Sequence, residues 1–142
     1  MRPARALLLL CALAAPARAE PVVYTLDPAH SFVNFELMHF GTSTIRGRFG
    51  PLHGSVVLDR AGASGSVALE IATASVSTGL RVFDARIRER DLLASDEFAV
   101  ASFVAQRFRF DGERLAEVRG EFTLRGVTQP LSLFARHFAC EQ

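Results

Sequence analysis

Residues 118–135 read VRGEFTLRGVTQPLSLFA, which indicates two alternating strands joined by a tight turn. In the first half, apolar or small residues alternate with polar ones, as in a strand with one buried face. The inward set is Val118, Gly120, Phe122 and Leu124. Arg125-Gly126 predicts the turn, after which Leu131 and Leu133 point to the same buried side. This stretch therefore predicts an antiparallel β-hairpin at the end of the fold.

The same period of two recurs along most of the chain. It predicts strands at Val22–Leu26, Phe32–Phe40, Thr44–Phe49, Ser55–Leu58, Ser66–Ala74, Ala101–Phe110, Leu115–Leu124 and Val127–Ala135. The period changes only around Phe83 and Ile87, which are spaced as on one helical face, so Val82–Leu93 is predicted to be a short helix. We therefore expect an all-β domain with one short helix, built as an antiparallel barrel or sandwich. Pro130 places the last strand at an edge or a bulge.

The first 19 residues are predicted to be a secretory signal peptide. Arg2 and Arg5 precede an apolar run from Ala6 to Ala15, and Ala17-Arg18-Ala19 fits a cleavage site. That run is too short to span a bilayer, so the protein is expected to be exported and not integral to a membrane. Residues 20–142 then form a single domain.

Charge and composition exclude one class of partner. Beyond the predicted leader the chain has 13 arginines against 15 acidic residues, so it lacks the basic footprint of a nucleic-acid-binding domain. It keeps a single cysteine, Cys140, which is either free or paired with a partner elsewhere. The chain has 12 phenylalanines and no tryptophan. These rings could fill a core or line a cavity, and periodicity does not distinguish the two.

Three histidines, His30, His39 and His53, fall within residues 27–54. Their spacing matches no local metal motif, so we predict no metal and no cofactor. We interpret His30 and His53 as turn residues at strand ends and His39 as a hydrogen-bonded interior group.

The chain is also predicted not to be an enzyme, because it has no nucleophile motif. The acidic residues around the helix are expected to cap it and to pair with its arginines; they are Asp84, Asp91, Asp96 and Glu97.

Several motifs occur in a fixed order across residues 23–135. The first part contains Asp27-Pro28-x-His30-Ser31, Phe35-x-x-x-His39-x-Gly41, Ser43-Thr44-x-Arg46-Gly47-x-Phe49 and Gly54. The middle contains Ile71-x-x-x-Ser75-x-x-Thr78-Gly79, Asp84, Arg88, Asp91-Leu92-Leu93 and Phe98-x-x-Ala101-x-Phe103. The last part is Gly120-x-Phe122-Thr123-Leu124-x-Gly126-Val127-Thr128-x-Pro130. In these motifs and their spacing the chain resembles the YceI-like family of bacterial periplasmic proteins.

The resemblance implies a lipocalin-like antiparallel β-barrel whose apolar channel binds isoprenoid or quinone-like lipids. It also implies a periplasmic location and about two further strands after Ala135, so that the barrel here would be incomplete at its C-terminus and Cys140 could lack a disulfide partner. The chain departs from the family at Arg86, where a histidine is usual, and at Ala99-Val100, where a Tyr-Pro pair is usual.

These expectations combine into a periplasmic carrier of long apolar lipids. The alternative is a structural or interaction module whose open edge pairs with another chain, for example in a homodimer. Alternation predicts that the ligand-binding residues are Val33, Phe35, Leu37, Phe49, Leu69, Ile71, Phe103, Phe122, Leu131 and Leu133. His39 and Arg46 are the predicted polar contacts for a lipid head group.

Overall fold

The computed structural model describes residues 20–137, which form eight strands, a 3-10 turn and one helix. The strands are β1 (Val22–Thr25), β2 (Val33–His39), β3 (Ser43–Phe49), β4 (Leu52–Asp59), β5 (Ser64–Ala72), β6 (Val100–Asp111), β7 (Arg114–Leu124) and β8 (Val127–Phe134). The 3-10 turn spans Thr73–Ser75 and the helix, α1, spans Arg81–Ile87. The predicted all-β class with one short helix is confirmed. The predicted signal peptide and Cys140 lie outside the described residues.

The strands belong to two antiparallel sheets. Six of them form one sheet in the order β1-β4-β5-β6-β7-β8. Among the strands of residues 20–137, β2 and β3 pair only with each other, as a two-stranded ribbon. Arg48 and Ser77 exchange two backbone hydrogen bonds of 2.9 Å, which attach the outer edge of β3 to the segment after the 3-10 turn. Within residues 20–137 the hydrogen bonding therefore produces a sheet and a ribbon, with β1 and β8 at the two edges of the sheet.

Strand β4 begins earlier than the sequence suggests. It starts at Leu52, directly after the cis Gly50-Pro51 peptide bond, because Leu52 pairs with Ile71 of β5 and is buried. His53 consequently lies inside β4, opposite Glu70, and its interpretation as a turn residue is wrong. His30 does lie in a turn, where its Nδ1 is 2.6 Å from Oδ2 of Asp27.

Helix α1 is shorter than predicted and ends at Ile87, six residues before Leu93. The chain folds back here, because the N–H of Leu93 donates to the carbonyl of Ile87 at 3.0 Å and Ala94 adopts a φ of +50°. Arg86 forms a two-pronged ion pair with Asp91, so the expected pairing of acids with helix arginines is confirmed at this position. The expected capping role of Asp84 takes another form, since its carboxylate accepts hydrogen bonds from Thr78.

The core lies on one face of the six-stranded sheet. Cross-strand register places Phe103 between Leu69 of β5 and Phe122 of β7, and Phe103 is only 2% exposed. Apolar side chains placed opposite one another across strands are the unit that stabilises a sheet. Two neighbouring clusters result, one around Ile71 and one around Phe103, and Phe122 packs against both.

The opposite face of β7 holds a buried carboxylate. The side chain of Glu117 is 4% exposed and accepts hydrogen bonds from Arg119 at 2.7 Å and from Arg109 at 3.1 Å. The Arg119 guanidinium, together with hydrogen bonds from Arg109 and Ser132, lowers the pKa of Glu117 to about 2. The charged form is therefore strongly favoured in the folded protein.

This pKa predicts how Glu117 contributes to stability as the pH changes. Because the folded pKa lies below the ordinary value of 4.5, the contribution is fully present above about pH 4.5 and is lost as the pH falls toward about 2. We expect Glu117→Gln to be less stable than the parent at pH 7 and to lose less stability between pH 4.5 and 2. Urea unfolding across that range measures both effects.

Glu121→Gln, an exposed position on the same face of β7, is the matched control and should unfold like the parent at pH 7. Equal acid sensitivity of the Glu117 variant and the parent would contradict the prediction.

Candidate functional site

The candidate site is the apolar face of the sheet and the part of the ribbon that packs on it. The predicted site residues Val33 and Phe49 pair with each other across the ribbon and pack against the cluster around Ile71. Leu69 and Phe122 pack against the cluster that contains Phe103. The structure therefore brings six of the predicted residues onto one continuous apolar surface, with contributions from β2, β3, β5, β6 and β7.

An aromatic pair extends this surface along the ribbon. The rings of Phe35 and Phe49 have centroids 5.3 Å apart and an interplanar angle of 43°, a favourable tilted arrangement. The Phe35 ring lies directly over Gly47, its cross-strand partner, and a Cβ at Gly47 would come within 2.5 Å of the ring. Position 47 must therefore lack a side chain for Phe35 to lie flat on the ribbon.

Strand β8 leaves part of the apolar face open. Leu131 pairs with Gly120 and Leu133 pairs with Val118, so both belong to the face that contains Phe122. They are 39% and 42% exposed, and β8 pairs with no strand other than β7 in the part of the chain that the structure describes. Next to them lies a cleft of about 230 Å³, which is lined by Phe122, Leu124, Val127 and Gln129.

Three predicted site residues lie away from this surface. Leu37 is at the far end of β2 and is 52% exposed. His39 is exposed as well, so its prediction as an interior group is wrong; its ring contacts Phe40 with centroids 4.3 Å apart. Arg46 lies opposite Glu36, on the other face of the ribbon from Phe35, and its Nε is 2.7 Å from Oε1 of Glu36. The proposed head-group role of His39 and Arg46 stays a prediction.

The structure adds residues that the sequence reasoning did not name as part of the site. They are Leu26, Leu52, Val56, Val67, Ala101, Ala105, Phe108, Val118 and Leu124. Phe108 joins them because a β-bulge between Ala105 and Arg107 shifts the alternation of β6 by one residue. The sequence indicates this bulge, because the inward-facing apolar residues of β6 are odd-numbered up to Ala105 and even-numbered from Phe108.

A larger cleft, of about 560 Å³, lies after α1 and differs in chemistry. Its lining is Arg88, Glu89, Arg90, Ala94, Asp96 and Glu97. Charged groups of both signs would have to lose water to contact an apolar ligand, which makes this cleft a poor lipid site. Among residues 20–137, no three His, Cys, Asp or Glu side chains are grouped so that they could hold a metal ion. Over the same residues, no helix has the length and apolarity needed to span a membrane.

Comparison with known proteins gives a consistent result. The family model of the YceI-like domain matches residues 24–141. A UPF0312 protein of Vibrio vulnificus is 30% identical over 133 residues, which cover 92% of this chain and 70% of that protein. Protein YceI of Shigella flexneri is 34% identical over 108 residues, or 75% of this chain and 56% of that one.

Solved structures show a related fold. The YceI protein of Campylobacter jejuni is 26% identical, with a TM-score of 0.58 over 77% of this chain. BcnA of Burkholderia cenocepacia, at 20% identity, has a TM-score of 0.61 over 71% of this chain and supports the fold alone. The chain spans 64% and 63% of these two proteins, respectively, which is less than two thirds of their length.

Proposed function

The chain belongs to the YceI-like family, and from this membership and its open apolar face we propose that it binds an isoprenoid or another long apolar lipid. The observation that carries the proposal is one apolar face that contains the packed rings of Phe49, Phe103 and Phe122. Phe35 extends this face along the ribbon, and Leu131 lies at its exposed edge. A face of this kind favours a ligand that is slender and apolar over its whole length.

The energetics of burial fit such a ligand. Each CH₂ group transferred from water contributes roughly 0.8 kcal/mol, so one five-carbon isoprene unit contributes about 4 kcal/mol. At least three units, which contribute about 12 kcal/mol, are needed to reach micromolar binding after an association cost of about 4 kcal/mol or more is subtracted, because a Kd of 1 μM corresponds to about 8 kcal/mol. Binding therefore needs no polar contacts with the lipid. It needs only apolar side chains on both sides of the lipid.

The finer parts of the proposal concern place and role. We propose that the protein acts as a carrier in the periplasm, to which its predicted leader would direct it. The proposed lining consists of the predicted residues that share the apolar surface, namely Val33, Phe35, Phe49, Leu69, Ile71, Phe103, Phe122, Leu131 and Leu133. A role in binding rather than catalysis is supported by the apolar chemistry of this surface.

Extraction of the native protein tests the proposal. The protein is expressed with its leader, purified without detergent from the cell envelope fraction, extracted with organic solvent and analysed by mass spectrometry. We expect an isoprenoid in near-stoichiometric amount, which a control protein purified in parallel should lack. Preparations that contain no lipid and take up no polyprenol or quinone added in ethanol would overturn the proposal.

The edge of β8 favours a second candidate, a protein-interaction module. Unpaired strand edges are templates for pairing with another chain, and Leu133 and Phe134 are exposed at this edge. Light scattering of the purified protein separates the two candidates. A stable dimer without bound lipid would favour the interaction module, whereas a monomer with bound lipid would favour the carrier.

A further inference from the structure

The turn that joins β2 and β3 carries unusually exposed apolar side chains. We call residues 37–45 the ribbon tip. Within it, Phe40 is 88% exposed, Met38 is 67% exposed and Leu37 is 52% exposed. Single exposed apolar residues are normal on protein surfaces, but a contiguous group at a projecting turn marks an interaction site.

The conformation of the turn does not explain why residue 40 is a phenylalanine. Its φ of +50° lies in the left-handed region, where glycine and asparagine are favoured and a bulky side chain is rare. Its ring contacts only the neighbouring His39 among the aromatic contacts of the described residues. An asparagine at this position would suit the turn better and would expose less apolar surface, so the conformation of the turn gives no reason for a phenylalanine.

Charged side chains are absent from the ribbon tip and begin directly behind it. The tip contains no Asp, Glu, Lys or Arg over nine residues, although 22% of the whole chain is charged. Directly behind it, Glu36 and Arg46 form an ion pair across the two strands, with Nε and Oε1 2.7 Å apart and both side chains largely exposed. Exposed apolar side chains in a tip without Asp, Glu, Lys or Arg, followed by a charged pair, match the change from hydrocarbon to head groups at a bilayer surface.

We propose that the ribbon tip inserts into the surface of a lipid bilayer. Leu37, Met38 and Phe40 enter the boundary between head groups and acyl chains, and the Glu36–Arg46 pair stays at the level of the head groups. Phe40 is four residues beyond Glu36, which at about 3.3 Å per residue gives a reach of roughly 13 Å. That reach suffices for the insertion depth of about 5–10 Å that is usual for interfacial segments.

The tip is connected to the candidate site by one side of the ribbon. Leu37 lies two residues along β2 from Phe35, and alternation places both on the same side of the ribbon. Phe35 contacts Phe49, which packs on the core of the apolar face. A lipid leaving the bilayer at the tip would therefore stay in contact with apolar side chains until it reached that face. This transfer step rests on the proposed function, whereas docking itself does not.

A tryptophan reporter tests docking directly, because the chain has no tryptophan of its own. Phe40→Trp is mixed with vesicles of phosphatidylethanolamine and phosphatidylglycerol in a 3:1 ratio. We expect a blue shift of its emission and quenching by lipids brominated near the head-group end of the acyl chain. Val104→Trp is the matched control, since Val104 is 51% exposed but lies opposite Glu121 on the charged outer face. It should show neither change. An unchanged emission spectrum of the Phe40→Trp variant, or equal shifts in both variants, overturns the proposal.

A second variant separates docking from lipid binding. Met38→Ser combined with Phe40→Asn removes the two most exposed apolar side chains of the tip and keeps a residue suited to the positive φ of position 40, so the fold should be retained. We expect vesicle co-sedimentation to fall by about tenfold or more, while binding of a polyprenol added in ethanol stays unchanged. Unaltered co-sedimentation overturns the proposal. So does light scattering that shows a dimer in the parent and a monomer in the variant with no vesicle binding by either, because the tip would then contact a second copy.

Discussion

Replacing Leu131 by glutamate is expected to weaken the binding of a long apolar lipid strongly and to leave the fold intact. Leu131 pairs with Gly120 on the apolar face and is 39% exposed, so a carboxylate there stays in water as long as no ligand is bound. A bound lipid would cover this carboxylate, and burying an unpaired charge or neutralising it costs several kcal/mol. We therefore expect affinity for a polyprenol to fall by about 100-fold or more.

The control for this variant places the same charge on the other side of the same strand. Thr128 is exposed and alternates away from Leu131, so Thr128→Glu should bind lipid like the parent. Phe122→Glu would be a less informative test, because Phe122 packs against both core clusters and the variant would also unfold. Binding by a folded Leu131→Glu within about threefold of the parent would show that the apolar face is not the lipid site.

The strand pattern was predictable because most strands have one face buried and one in water. Alternation located β5 and β7 to within two residues at each end, since both lie inside the sheet and present an apolar face to the core. Local sequence failed where pairing between strands extended an element. Leu52 joins β4 because it pairs with Ile71, and Pro51 before it made the start of the strand look like a turn.

The candidate site was predictable in part for the same reason. Residues on one face of a strand alternate in sequence. This alternation assigned Phe49, Ile71 and Phe122 to inward faces, and the structure packs them in one cluster. The same alternation along β3 separates Arg46 from Phe49, but the motif that contains both made them look like one group. The exposure of Phe40 was not predictable, because the sequence does not show that, within residues 20–137, no third strand pairs with the ribbon near its tip.

Phe103→Ala is expected to have the largest effect on stability. Phe103 is 2% exposed, at the centre of the cluster formed with Val67 and Ala105. Removing a buried phenylalanine ring costs about 3–5 kcal/mol, and the cost rises with the volume of the cavity that remains. The cavity cannot collapse easily here, because the same-face neighbours of Phe103 along β6 are Ala101 and Ala105, and Gly120 opposite Ala105 has no side chain. We therefore expect a loss in the upper half of this range, measured by urea unfolding.

Two further variants decide what that loss means. Val104→Thr, on the outer face next to Phe103, keeps the β-branched shape and should change the free energy of unfolding by about 0.5 kcal/mol or less. Phe103→Leu keeps most of the volume and should cost less than Phe103→Ala.

If Phe103→Ala instead cost under about 1 kcal/mol, the ring would border open space rather than a packed core. The cavity around it would then be available to a lipid, which should stabilise the parent protein in proportion to the logarithm of its concentration. The size of this one loss therefore distinguishes a Phe103 ring that is packed beneath the lipid site from one that borders a space into which the lipid itself extends.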